Sequence, residues 1–273
     1  MKKIYKKSKI HIIVIIFLVF SISLIGCSKE HNNKDINFEN KKENKKENKL
    51  ENYKEALQVE KVKDESISQI KVTNKSSFDV SGICLIYDEV DKNNNVITNS
   101  KNLIDITLNP SKVVYSQIST QEYTKDINIT GYEYSYKEDR VFVDLNKDTV
   151  KVGINNVKTE NSNPYEILYT SDINKINESK EGFTYEIKVK NLSQNDLGNT
   201  TLKLAELNDK GEYIKITHTI SSNVLKSNEK AKIEITSSKD AKDLKLIGYI
   251  YDDINNKANV DIDLQAHKAK INK

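Results

Sequence analysis

The chain has 273 residues, with 43 Lys and Arg against 40 Asp and Glu, a formal net charge of +3, 14 Tyr, two Cys and no Trp. Five lysines, Lys2, Lys3, Lys6, Lys7 and Lys9, crowd the first nine residues without an acid, and setting them aside turns +3 into −2. That balance excludes a nucleic-acid binder working through a basic surface, and two cysteines exclude a disulfide-stapled scaffold.

Residues 10–20, "IHIIVIIFLVF", are apolar apart from His11, and the run continues through Ile22, Leu24 and Ile25. A basic head, an apolar stretch and a small residue at its end describe an export signal over residues 1–26. The run falls short of the ~20 residues that span a bilayer, so an uncleaved anchor with an incidental cysteine is the weaker alternative. "Leu24-Ile25-Gly26-Cys27" resembles the bacterial lipobox. The resemblance implies a diacylglycerol on the Cys27 thiol, cleavage between Gly26 and Cys27, and further acylation of the new amino terminus. Two or more acyl chains give stable anchoring where one does not. The expected address is the extracytoplasmic face of a bacterial cell membrane.

Residues 27–56 follow as a Lys/Glu/Asn-rich stretch in which "KKEN" at 41–44 repeats at 45–48 and returns loosely as "KLEN" at 49–52. So few apolar groups cannot offset chain entropy, and the segment reads as a disordered tether. A weak helix is the alternative, because Lys and Glu favour helix.

The remainder contains an internal repeat. Shifted by 117 residues, "IKVTNKS" at 70–76 falls on "IKVKNLS" at 187–193, and "DINITGYEYSY" at 126–136 on "DLKLIGYIYDD" at 243–253. Without a gap, "VFVDLN" at 141–146 then falls on "ANVDID" at 258–263. Each copy alternates apolar and polar residues, as in Tyr185, Ile187 and Val189, between turn signals such as "DKNNN" at 91–95 and "NDKGE" at 208–212. The predicted class is all-β: two tandem immunoglobulin-like β-sandwiches of about seven strands each. The first copy is placed at 57–149, a linker at 150–166, the second copy at 167–266 and a tail at 267–273. Gly131 and Gly248 sit where the alternation changes phase, which predicts a β-bulge in each copy.

"Cys84-Leu85-Ile86-Tyr87-Asp88", followed by a polar turn and "Val96-Ile97", resembles the FxLYD-type domains of bacterial exported proteins. Cys84 stands for Phe and Ile86 for Leu, while Tyr87 and Asp88 keep their letters. The resemblance implies an immunoglobulin-like sandwich and carries no assigned activity.

No chemistry-bearing pattern emerges. His31, His218 and His267 have no zinc spacing. Cys84, the one thiol left after lipidation, lies inside an apolar strand and reads as a small hydrophobe. Neither a phosphate-cradling glycine loop nor a G-x-S-x-G elbow occurs. "Asp91-Lys-Asn93-Asn-Asn95" opens like a calcium loop, but Val96 replaces the turn glycine and Asn102 the closing acid. Tyr132, Tyr134, Tyr136, Tyr249 and Tyr251 serve either as core packing or, less readily, as a binding face. The expectation is therefore a non-catalytic binding or scaffolding protein with no catalytic residue, metal or cofactor. Its partners would be the membrane, through the acylated cysteine, and an envelope protein or polymer, with no nucleic acid. The first hairpin, "YDEVDKNNN" at 87–95, differs most from its counterpart "LAELNDKGE" at 204–212, so Tyr87, Asp88, Glu89 and Asp91 form the candidate contact, read as a solvated tip. The rivals are a solute-binding lipoprotein, which would need two α/β lobes, and an accessory to a wall hydrolase.

Overall fold

A computed structural model describes residues 47–62, 68–180, 182–221 and 224–273. The export signal, Gly26 and Cys27, and the tether up to residue 46 lie outside the described residues. The first repeat opens with a short helix α1 (Glu47–Lys54) and continues as β1 (Leu57–Val62), β2 (Ser68–Asn74), β3 (Ser81–Val90), β4 (Val96–Ile104), β5 (Val113–Ile118), β6 (Asp126–Tyr136), β7 (Asp139–Asp144) and β8 (Thr149–Ile154). The second comprises β9 (Glu160–Asn161), a 3₁₀ turn at Asn163–Tyr165, β10 (Leu168–Thr170), β11 (Asn174–Glu178), β12 (Gly182–Asn191), β13 (Leu197–Leu207), β14 (Tyr213–Ser221), β15 (Lys230–Ser238), β16 (Asp243–Asp253), β17 (Ala258–Asp263) and β18 (Lys268–Asn272).

The chain is all-β, and each repeat is a sandwich. In the first, the sheet β4-β3-β6-β7-β8 faces β1-β2-β5, and both contribute to one core around Ile70, Val72, Leu85 and Val141. In the second, β14-β13-β16-β17-β18-β9 faces β12, flanked by β15 on one side and β10 and β11 on the other. Alternation does the sorting: Tyr185, Ile187 and Val189 of β12 are buried while Lys188 between them is exposed.

The ends of each repeat differ from the sequence reading. The tether does not run to residue 56. Glu47–Lys54 is helical, and Tyr53 and Ala56 belong to the first core, 3% and 1% exposed. The Tyr53 ring meets Phe78 and Tyr136 edge-on, with centroids 6.0 and 6.2 Å away, and its hydroxyl donates to Asp139 at 2.6 Å. Residues 149–154 are β8, so the connection between repeats shrinks from 150–166 to residues 155–159. The tail is also a strand. β18 pairs with β17 because Ala269, fully buried, and Ile271 point inward between lysines.

Pairing register tests the repeat. Leu57 opposes Asn74 and Leu168 opposes Asn191, while Val80 bridges Leu108 and Leu197 bridges Leu225. Leu57 and Leu168 are 111 residues apart, so the first strands depart from the repeat, but from Asn74 and Asn191 the 117-residue offset holds through β6 and β16. Beyond them the ungapped alignment fails. The β6–β7 hairpin closes at Tyr136–Asp139 but the β16–β17 hairpin at Asp253–Ala258, two residues longer. Val141 and Val143 thus correspond to Val260 and Ile262. The predicted bulges are present: Ile86 pairs Gly131 while Tyr87 pairs Ile129, and Lys203 pairs Gly248 while Leu204 pairs Leu246. Glycine is required there because a Cβ would lie 2.5 Å from the Val143 carbonyl oxygen or 2.3 Å from that of Ile262.

Each repeat also carries one fully buried asparagine at the same place. Asn74 Nδ2 donates to the carbonyls of Phe78 (2.8 Å) and Leu108 (2.7 Å), and its Oδ1 accepts from the Ser76 amide and hydroxyl. Asn191 repeats this with Asn195, Leu225 and Ser193. One side chain thereby ties the loop after its own strand to the bridge at Leu108 or Leu225. Asn74→Ala should cost about 2–3 kcal/mol by taking one donor from each of two carbonyls and leaving the Ser76 amide without its acceptor. The check is a lower urea midpoint at unchanged slope, with a similar loss for Asn191→Ala.

Candidate functional site

The hairpin chosen from sequence divides into inner and outer residues. Tyr87, 3% exposed, belongs to the first core, and Glu89 is 1% exposed. Neither can meet a partner, because strand alternation turns both inward. The Glu89 carboxylate accepts from the Gln121 amide (2.8 Å), the Thr124 hydroxyl (2.6 Å) and the Ser100 hydroxyl (2.7 Å). Burial pushes its pKa up, but those donors outweigh burial and hold it below the usual range. Its counterpart Glu206 receives the amide and hydroxyl of Ser238 at 3.0 and 2.5 Å. Both glutamates pin the connection into β6 or β16 and are structural.

Asp88 faces outward and accepts from Asn99. Asp91 caps the turn: one oxygen accepts from the amides of Asn93 (2.7 Å) and Asn95 (2.9 Å), and the other from the Asn95 side chain at 3.1 Å. Asn208 performs the same closure on Lys210 and Glu212. The tip is therefore braced by its own acid and not merely solvated. Asp91→Ala should lower the melting temperature and Asp88→Ala should leave it nearly unchanged, as read by thermal scans of the two variants.

The tyrosines pack as core. Tyr132, Tyr134, Tyr249 and Tyr251 are all at most 2% exposed, and Tyr136 stacks on Phe78 with centroids 4.0 Å apart. The Tyr132 hydroxyl faces the Lys54 and Leu57 carbonyls, Tyr134 donates to Tyr53 and Tyr251 to Tyr165. Burial lifts Tyr132 to about 12 and raises the other three as well. Cys84 is buried, as expected. Among the described residues no cluster of His, Cys, Asp and Glu could hold a metal ion.

The polar cluster that sequence reasoning missed lies between the repeats. β5 meets β14 through one parallel bridge, Val114 with Tyr213, which joins the two repeats into one nine-stranded sheet. Residues 105–107, between β4 and β5, lie over the outer face of the second repeat. There Lys203, its side chain only 8% exposed, binds Asp105 at 3.0 Å and Asp261 at 2.9 Å, while His218 Nε2 lies 3.3 Å from Asp105. Thr107 donates to Asp263, Gln265 to the Tyr213 hydroxyl at 2.9 Å, and Tyr115 to Glu212 at 3.1 Å. Ala205, Tyr213 and Ile247, all from the second repeat, complete the first repeat's core. Ile247 reaches it as the extra residue of the β16 bulge. A cavity of about 20 Å³ remains beside Lys203 and Gln265, about one water in size.

Burial pushes Asp105 up, but the His218 hydrogen bond and the Lys203 ammonium overcome it and hold the carboxyl at about 2. For Lys203, burial lowers the pKa while Asp105 and Asp261 raise it further. The lysine therefore stays charged at neutral pH. No single segment announces this cluster, because Asp105 and Lys203 come from different repeats.

No known protein family matches this chain, and no curated protein does. Among solved structures it is similar to red sea bream transglutaminase, at 9% identity over 73% of this chain and 29% of that one, with a TM-score of 0.23. It is also similar to the exo-chitosanase of Amycolatopsis orientalis, at 11% identity over 77% of this chain and 26% of that one, again with a TM-score of 0.23. The chain spans less than a third of either enzyme. Likeness at that level transfers no activity.

Lys203→Ala should leave Asp105 and Asp261 without their cation. The cost should be about 2 kcal/mol, below the usual range for a broken buried pair because Asp105 is 44% exposed. Acid should act on the same contact. A carboxyl depressed from 3.8 to about 2 stabilises the folded state fully above its unfolded value, and that contribution fades as pH falls from 4 toward 2. Stability of the wild-type chain should drop over that window by more than that of Asp105→Asn, as followed by urea titration at each pH.

Proposed function

We propose that this chain is a lipid-anchored, extracytoplasmic, non-catalytic protein that binds or scaffolds at the bacterial cell envelope. The observation that carries the reading is Cys27 directly after Gly26, at the end of the apolar run that follows a five-lysine head. A thiol there accepts a diacylglycerol, and the Lys/Glu/Asn-rich segment that follows spaces the sandwiches from the bilayer. The sandwich pair suits presentation: two repeats locked through Lys203 offer a rigid surface, and neither needs an internal cavity for a ligand. Partner contact then falls to exposed strand faces and hairpins, since Tyr87 and Glu89 are interior.

The test is metabolic labelling with a fatty acid in the bacterium, followed by membrane fractionation. The wild-type chain should take up label and sediment with membranes. Cys27→Ala should lose both label and membrane association, and label persisting in that variant would contradict the anchor.

A further inference from the structure

The outer face of the second repeat's smaller sheet carries a block of lysines whose order the pairing registers fix. On β12 and β15, Lys190 stands opposite Lys230 and Lys188 opposite Lys232, and on β10 Tyr169 stands opposite Lys190. Alternation turns all five outward, because Leu168, Ile187, Val189 and Ile233 beside them are buried. Lys188, Lys230 and Lys232 are exposed, Lys190 is half-buried and Tyr169 is 56% exposed. Opposite residues have their Cβ atoms about 5 Å apart, and like charges so placed destabilise a sheet. Glu186 relieves one pair, at 2.9 Å from Lys232 and 3.8 Å from Lys188. Among the described residues, Lys190 and Lys230 form no ion pair. The sandwich itself does not require this block. By the 117-residue offset, the first repeat has Thr73 opposite Val113 and Lys71 opposite Tyr115, with Glu60 3.9 Å from Lys71. Gln58, opposite Thr73, takes the place of Tyr169. The same registers thus hold with one lysine where the second repeat has four.

We propose that this face binds a linear phosphodiester polymer of the cell wall, whose phosphates meet the four ammonium groups. The proposal rests on the envelope reading above, because that is where the chain meets such a polymer. Lysines two apart on a strand recur every ~7 Å, so a chain charged at every unit can follow them. A polyanion laid there removes the repulsion that the opposed lysines otherwise carry. Lysine holds phosphate as a point charge, by charge and not by shape, which suits a repeating polymer better than a folded acidic partner. Tyr169, at the end of the Lys190–Lys230 row, offers an apolar ring to the carbons between phosphates. Glu186 and Glu234, opposite one another, bound the block on the side away from Tyr169. A planar anionic bilayer would press on those carboxylates together with the lysines, whereas a polymer one chain wide passes beside them.

The probe is poly(glycerol phosphate) fixed to a sensor surface, over which the detergent-solubilised full-length chain is passed across a range of salt. Binding should weaken with salt at a log–log slope of about −3, as four neutralised phosphates require. Lys190→Gln with Lys230→Gln should cut affinity about tenfold and roughly halve that slope. Neither lysine holds an ion pair, so the fold should be unchanged, which the far-ultraviolet spectrum would report. The same change of charge at Lys92→Gln with Lys112→Gln, both exposed on the first repeat, should have no effect. No binding by the wild-type chain, or an equal loss from the two variants, would overturn the proposal. So would polyglutamate or phosphatidylglycerol micelles that displace the chain as well as the soluble polymer does at equal charge. This binding needs no acyl chain, so its failure is distinct from a failure of the Cys27 labelling.

Discussion

One lysine sits at the centre of the contact that joins the two halves of this protein. Lys203 projects from the outer face of a sheet, where a lone ammonium would ordinarily remain in water. Here it is covered, and only Asp105 and Asp261 make that cover tolerable, because a buried charge without a counter-ion costs several kcal/mol. Two features place it there. The bulge at Gly248 turns Ile247 out beside it, and the 105–107 segment of the first repeat closes over both. The nine-stranded sheet, the shared core and the short connection at 155–159 are consistent with that single docking.

The duplication separates what the sandwich needs from what each copy can vary. Asn74 and Asn191 brace the same loops, and Glu89 and Glu206 pin the same connections. These are interior polar groups whose loss would orphan several partners at once, so both copies retain them. The outer sheet face is under no such constraint. It carries Lys203 and Asp261 where it is covered, and Ile86 and Phe142 where it is open.

Much of the fold could be read from residue order because its signals are local. Period-two alternation marks β12 and β15, turn residues mark the hairpins, and Gly131 and Gly248 mark the bulges. What residue order does not show depends on distant residues. Glu47–Lys54 shares the composition of the charged stretch before it, and only Tyr53 and Ala56, by docking under residues far along the chain, make it part of the domain. The strand Lys268–Asn272 is short and lysine-rich, and its register comes from β17. In the candidate hairpin, alternation alone would have sent Tyr87 and Glu89 inward and left Asp88 outside. The Lys203 cluster had no local sign, since a lysine between two inward leucines usually faces solvent.

The shared core and the Lys203 contact should make the repeats one cooperative body, and the absence of tryptophan makes this directly testable. Phe78→Trp reports on the first sandwich and Phe183→Trp on the second, each as the chain's sole indole. Urea unfolding followed by fluorescence should give coincident midpoints and slopes for the two variants, matching the far-ultraviolet transition of the wild-type chain. Two separate transitions, with one sandwich lost while the other remains folded, would show that the Lys203 contact joins two independent domains and would contradict it.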